Sequence, residues 1–164
     1  MAYDGFRGGY GVGVNNVGSY QVSGIPWVSA SVTVPAHSDA EGGSKGTVST
    51  GATTKIEFPY VTKFVTVRHD PTGSTYVIGN NNGIRVGFSA AGAVGGPNRN
   101  YFVLSGSESI TLEIKTKEIY LVSCNDLVKE ATVIAGLTNI TSKLTLSGVE
   151  NGVRFNYSGS DGIG

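Results

Sequence analysis

From Trp27 to Tyr157 the chain consists of short apolar–polar alternations, cut every few residues by glycine, asparagine, proline or serine. That pattern leaves few folds open. Val28, Ala30, Val32 and Val34 alternate with Ser29, Ser31 and Thr33, the period of a half-buried strand with its valines on one face, and Pro35 ends it. Strand signals recur over Lys55–Phe58, Tyr60–Arg68, Thr75–Ile78, Ile84–Ser89, Tyr101–Leu104, Ser109–Ile114 and Glu118–Ser123. They return over Ala131–Leu137, Lys143–Leu146 and Val153–Tyr157, the last two flanking a turn at Gly148–Gly152. Turn clusters separate them at Asp70–Gly73, Asn80–Gly83, Gly92–Asn100 and Ser105–Ser107. Asn82-Gly83 suits the positive φ angles of a type I′ hairpin, and Asn125–Glu130 alone offers a helical turn. Eight to ten short strands predict an all-β fold, a single β-sandwich; the long connections favour a jelly roll. At 164 residues one domain can bury its own core.

The flanks read differently. Residues 1–26 interleave glycine and small polar residues with Tyr3, Phe6, Tyr10 and Tyr20, a composition that builds no core of its own. The segment is expected to be an extended arm whose four aromatic residues anchor it on a partner surface. The sandwich then occupies 27–157, and 158–164 is a tail of flexible composition. Within the sandwich, 36–53 is polar and glycine-rich, a long exposed loop expected to be dispensable for folding.

Twelve Lys and Arg balance twelve Asp and Glu, so no net field steers the chain to nucleic acid or to an anionic membrane. Neutral copies repel one another little, which favours assembly. The N-terminus has no charged segment followed by an apolar run, and no window is apolar enough for a membrane span; synthesis in a host cytoplasm is expected. One cysteine, Cys124, excludes an internal disulfide.

Catalysis needs converging groups of tuned pKa, and the residues for it are sparse. His37 falls in the polar loop, His69 ends a strand before Pro71, and neither has a partner at ligand spacing. Cys124 reads as a buried thiol packed like a small apolar side chain. Glu108, Glu113 and Glu118, five apart, alternate faces of a strand; Lys115 and Lys117 are their expected cross-strand partners. Gly8–Gly13 and Gly43–Gly46 lack phosphate-loop spacing, and the sequons at Asn139 and Asn156 are read as accidental. No enzyme, cofactor or metal is predicted.

Four phrases, KIEFPYVTKFVTVRHD, GIRVGFSAAG, NYFVLSGSESITLEIKTKEIYLVS and ATVIAGLTNI, in the stretch from Lys55 to Ile140 that makes up about half the chain, resemble small β-sandwich virion proteins of tailed bacteriophages. The resemblance is to capsid decoration, or cement, proteins. It implies a jelly-roll-like domain, a symmetric homo-oligomer (often a trimer), and a place on the capsid exterior where it binds the major capsid protein and bridges capsomers. It fixes no binding residue. The alternative is a host-receptor or carbohydrate-binding module of a tail fibre or baseplate, which would carry a coiled-coil or repetitive shaft. A hydrolytic or isomerase jelly roll would need several histidines and carboxylates at ligand positions.

Overall fold

Segments rich in Val, Ile and Thr, whose branched side chains suit a pleated surface, form two four-stranded antiparallel sheets. The computed structural model describes residues 25–37, 53–70, 82–94, 100–125 and 127–142, with the backbone of four two-residue strands between 149 and 161. Its strands are β1 (Ile25–Val34), β2 (Thr54–Glu57), β3 (Tyr60–Asp70), β4 (Ile84–Gly87), β5 (Tyr101–Leu104), β6 (Ser109–Leu112), β7 (Glu118–Ser123) and β8 (Lys129–Thr141). A short helix, α1 (Ala90–Val94), lies between β4 and β5.

One sheet has the order β1-β8-β3-β6 and the other β2-β7-β4-β5. The first strand thus pairs with the last, β2 with β7 and β3 with β6, closing inward on the β4–β5 pair. Every connection except β4–β5 passes from one sheet to the other. This is the jelly-roll pairing, and it explains why long loops alternate with strands too short to stand as isolated hairpins. Beyond β8, Val149–Glu150 (β9) pairs with Val153–Arg154 (β10), and Asn156–Tyr157 (β11) with Ser160–Asp161 (β12).

The facing surfaces of the two sheets make one core. Val65, Val67, Ala131, Val133, Ala135 and Leu137 come from one sheet and Ile56, Ile84, Val86, Leu104, Ile119 and Leu121 from the other. Trp27 closes an edge, its ring meeting Phe58 edge-to-face at 5.1 Å and 82°.

Several sequence expectations are corrected here. The valines of β1 do not share a face: Val28 is exposed, while Trp27 packs on the core. Between the pairs Ser29↔Val133 and Val32↔Ala131, Ala30 and Ser31 together oppose Thr132. Ser31 takes φ 52°, and this bulge exchanges inward and outward residues halfway along the strand. Asn125–Glu130 is not helical. Asn125 Oδ1 accepts the N–H of Leu127 and the hydroxyl of Ser123, a side-chain-closed turn that feeds directly into β8 at Lys129. Residues 90–94, whose last three fall in the turn cluster expected over Gly92–Asn100, form α1 instead. It fits because Gly87 beneath it has no side chain: a Cβ there would stand 2.9 Å from Ala93 Cβ. Strands expected at 75–78 and 143–146 lie outside the described residues. Asn82-Gly83 does not form the expected type I′ turn: Gly83 lacks the positive φ such a turn needs, and its carbonyl accepts the Cys124 N–H beside β7.

Candidate functional site

The two outer faces of the sandwich differ in kind. Across the middle of the β1-β8-β3-β6 sheet runs the row Val28–Ile134–Thr66–Thr111, joined strand to strand by the register. Val28 is 62% exposed and Ile134 39%. The Thr66 and Thr111 hydroxyls satisfy each other at 2.8 Å, so the row offers apolar surface and no charge. Charge gathers at one margin, where Arg68 pairs with Asp70 at 3.2 Å and Thr132 donates to the same carboxylate.

The opposite outer face is charged and partly covered. Lys55 Nζ lies 2.5 Å from Glu57 and 2.7 Å from Glu118, and Tyr120 OH donates to Glu118 at 2.9 Å. Glu57 and Glu118 stand opposite each other across the β2–β7 ladder, so Lys55 neutralises a like-charge pair. Glu118, then Glu57, hold the Lys55 ammonium protonated well above its usual range, against a lesser cost of burial. Burial, then the Glu118 carboxylate, push the Tyr120 phenol up. Thus the partner found for Glu118 comes from β2 and was not expected. Farther along this face α1 packs over β4 and β7.

At one end of the sandwich lie the last residues of β1, β3, β5 and β7. The end of β7 is flanked on both sides by main chain: Ser123 N–H donates to Pro35 O at 2.9 Å, His37 N–H to Asn125 O at 2.7 Å, and Cys124 N–H to Gly83 O at 3.0 Å. Lys129, 5% exposed, donates to Asn82 Oδ1 at 2.8 Å. His69 Nδ1–H donates to Ser105 O at 3.1 Å. Both histidines and the cysteine converge on this end, though they are distant in sequence.

His37 is not a loop-surface residue; it is 3% exposed. Its Nε2 accepts from Arg85 Nη1 at 3.4 Å, and Arg85 also adjoins the Cys124 thiol. Hence Cys124 has a histidine in its neighbourhood through Arg85, which linear spacing did not reveal. Burial pushes the thiol up, and Arg85 opposes that shift only in part, so the thiolate fraction at neutral pH stays small. Burial likewise lowers His69, partly offset by the Ser105 carbonyl. Glu108 turns back to accept the Ser105 N–H at 2.7 Å.

Tyr3, Phe6, Tyr10 and Tyr20, the anchors expected in the arm, lie outside the described residues. Among the described residues no three His, Cys, Asp or Glu side chains are grouped to hold a metal ion, and no helix is long and apolar enough to cross a membrane. Comparison with protein-family models, with curated proteins and with solved structures finds no match to this chain.

Proposed function

We propose that this chain is a structural assembly protein, and that it serves as a decoration protein on the exterior of a phage capsid. The observation that carries the first part is the uncharged row Val28–Ile134–Thr66–Thr111 on a face that no element among the described residues covers. Fully burying a Val or Ile stabilises a contact by about 1.5–3 kcal/mol, so the two exposed side chains suit a docking role. The row has no charge to desolvate, and chains of zero net charge approach one another without mutual repulsion. The opposite face, with Lys55, Glu57, Glu118 and α1, is less suited to close apolar packing.

The second part rests on the resemblance of the strand phrases to tailed-phage virion proteins, and it names the major capsid protein and further copies of the chain as partners. The arm bearing Tyr3, Phe6, Tyr10 and Tyr20 enters β1 at the edge of the same sheet and supplies additional contacts in this reading. No role with nucleic acid, membrane or cofactor is proposed. The test is to add purified protein to capsids lacking their own copy and to image them, with full-length protein, with residues 2–22 deleted, and with Val28→Lys. Ordered density on the capsid exterior that weakens in both variants is expected. Absence of any binding by the full-length protein would overturn the capsid assignment.

A further inference from the structure

The sheet β1-β8-β3-β6 ends on β6, which pairs with β3 alone among the described residues. Its main chain runs along β3 beyond the ladder at both ends. Glu108 O accepts the His69 N–H at 3.0 Å, Ile114 O accepts the Thr62 hydroxyl at 2.8 Å, and Thr116 O accepts the Thr62 N–H at 3.0 Å. The even-numbered residues from Glu108 to Thr116 therefore turn their main-chain groups toward β3, and Ser109, Thr111, Glu113 and Lys115 turn theirs outward. Side chains keep the same period: those four residues are exposed, whereas Ile110, Leu112, Ile114 and Thr116 are half-buried. Among the described residues no main-chain hydrogen bond outside the β3 ladder reaches Ser109, Thr111 or Glu113.

A row of alternating outward N–H and C=O groups is satisfied by another extended chain. The opposite edge of this sheet, β1, is protected from such pairing by Pro26 and by its bulge. β6 has neither a proline nor a register shift. We propose that β6 is a contact between copies, pairing two-fold and antiparallel with β6 of a second copy so that the two sheets become one. Charge selects a second copy as the occupant. Glu113 makes no ion pair among the described residues, and a pairing centred on Ile114 sets it opposite Lys115 of the other copy, twice by symmetry. The same pairing brings the two half-buried Ile114 side chains together across a non-hydrogen-bonded pair, where side chains stand closest. Such a short ladder contributes little beyond the cost of joining two free molecules. The proposal thus rests on the assembly reading: the ladder links copies gathered by the apolar row, which itself ends on β6 at Thr111.

Hydrogen exchange of the full-length protein is followed over a dilution series, beside sedimentation of the same samples. The Glu113 amide should be protected in the assembled protein and lose protection on dilution, while the Leu112 amide, bonded to β3, stays protected throughout. Glu113→Lys and Lys115→Glu each set like charges against one another and should sediment at low ionic strength as smaller species than wild type. An equimolar mixture of the two restores opposite charges at both facing pairs and should regain the wild-type size. A Glu113 amide that exchanges fast in the assembled wild type, or stays slow at every dilution because its own chain covers it, overturns the edge contact. Wild-type size in both single variants does so too. A wild type that assembles with Glu113 unprotected fails the edge contact alone, whereas one that stays monomeric at every concentration fails the assembly reading and the edge contact with it. The exchange measurement needs no variant, so it stands even if both substitutions prevent folding.

Discussion

Val28 and Ile134 stand directly opposite each other across the β1–β8 ladder, both turned away from the core. Because each is already substantially in water, replacing either by lysine should change folding stability by less than about 0.5 kcal/mol. The consequence for association should be large. Val28→Lys and Ile134→Lys together place two like charges on a row whose contacts depend on having none. Sedimentation should show the wild type as an oligomer and the double variant as a monomer with an unaltered melting midpoint. Retention of the oligomer by a folded double variant would move the contact to another surface.

Ser31 supports a different expectation, one about stability alone. Its φ of 52° lies in the left-handed region, where a β-branched side chain clashes with its own backbone. Ser31→Val should therefore destabilise by about 1–3 kcal/mol, although valine is the better strand former by propensity. Chemical denaturation would measure it. An unchanged or increased stability would mean that the bulge had been absorbed elsewhere, with Val28 turned inward.

This inversion also marks where the sequence could be read and where it could not. Tyr101–Leu104 and Glu118–Ser123 match their expected spans residue for residue, because each is an uninterrupted run bounded by turn residues. The sandwich, too, was legible from alternation and turn spacing. In β1 the period was right locally but the bulge at Ala30–Ser31 leaves no compositional trace, since serine looks like any other outward strand residue. α1 escaped because five residues of Ala, Gly and Val are shorter than a helical period needs to declare itself. His37 was misplaced for a related reason: its neighbours in sequence are polar, but the main chain at Pro35 and His37 is fastened to β7, from Ser123 to Asn125. His37, inside the 36–53 stretch read as a dispensable loop, is thus part of the packed body. The cluster around Arg85 is assembled by topology from five segments, with His37, Val94, Tyr101 and Cys124 brought to β4, and no linear motif announces it.

Thr62 shows how a buried hydroxyl can organise main chain. It is fully buried in β3, donates to Ile114 O at 2.8 Å, and accepts the Thr116 N–H at 3.0 Å. Together these bonds fasten the β6–β7 connection to β3. Thr62→Val keeps the shape but leaves a part-buried N–H and carbonyl without their partner, at a cost of up to about 1–3 kcal/mol for each group left unsatisfied. Thr62→Ser should recover most of the loss. Hydrogen exchange at the Thr116 amide should accelerate in the valine variant and remain slow in the serine variant; equal protection in all three proteins would show that the hydroxyl is dispensable.

His69 should make the fold acid-sensitive. It is 2% exposed and faces Ser105 and Glu108 from the β5–β6 turn, Lys129 from β8, and Asp70 from its own strand. Burial foremost, with Lys129, disfavours the imidazolium, and the Ser105 carbonyl, Asp70 and Glu108 offset this only partly. The folded pKa therefore lies below the free value of 6.5. Below that value the unfolded chain takes up a proton that the folded chain resists, so the stability contributed by neutral His69 is complete above it and declines as pH falls through the window beneath it. Melting midpoints measured from neutral to mildly acidic pH should fall for the wild type. His69→Gln, which cannot ionise and can still donate to Ser105 O, should flatten that fall, whereas His37→Gln should retain the His69 contribution. An identical acid slope in wild type and His69→Gln would assign the sensitivity to other groups.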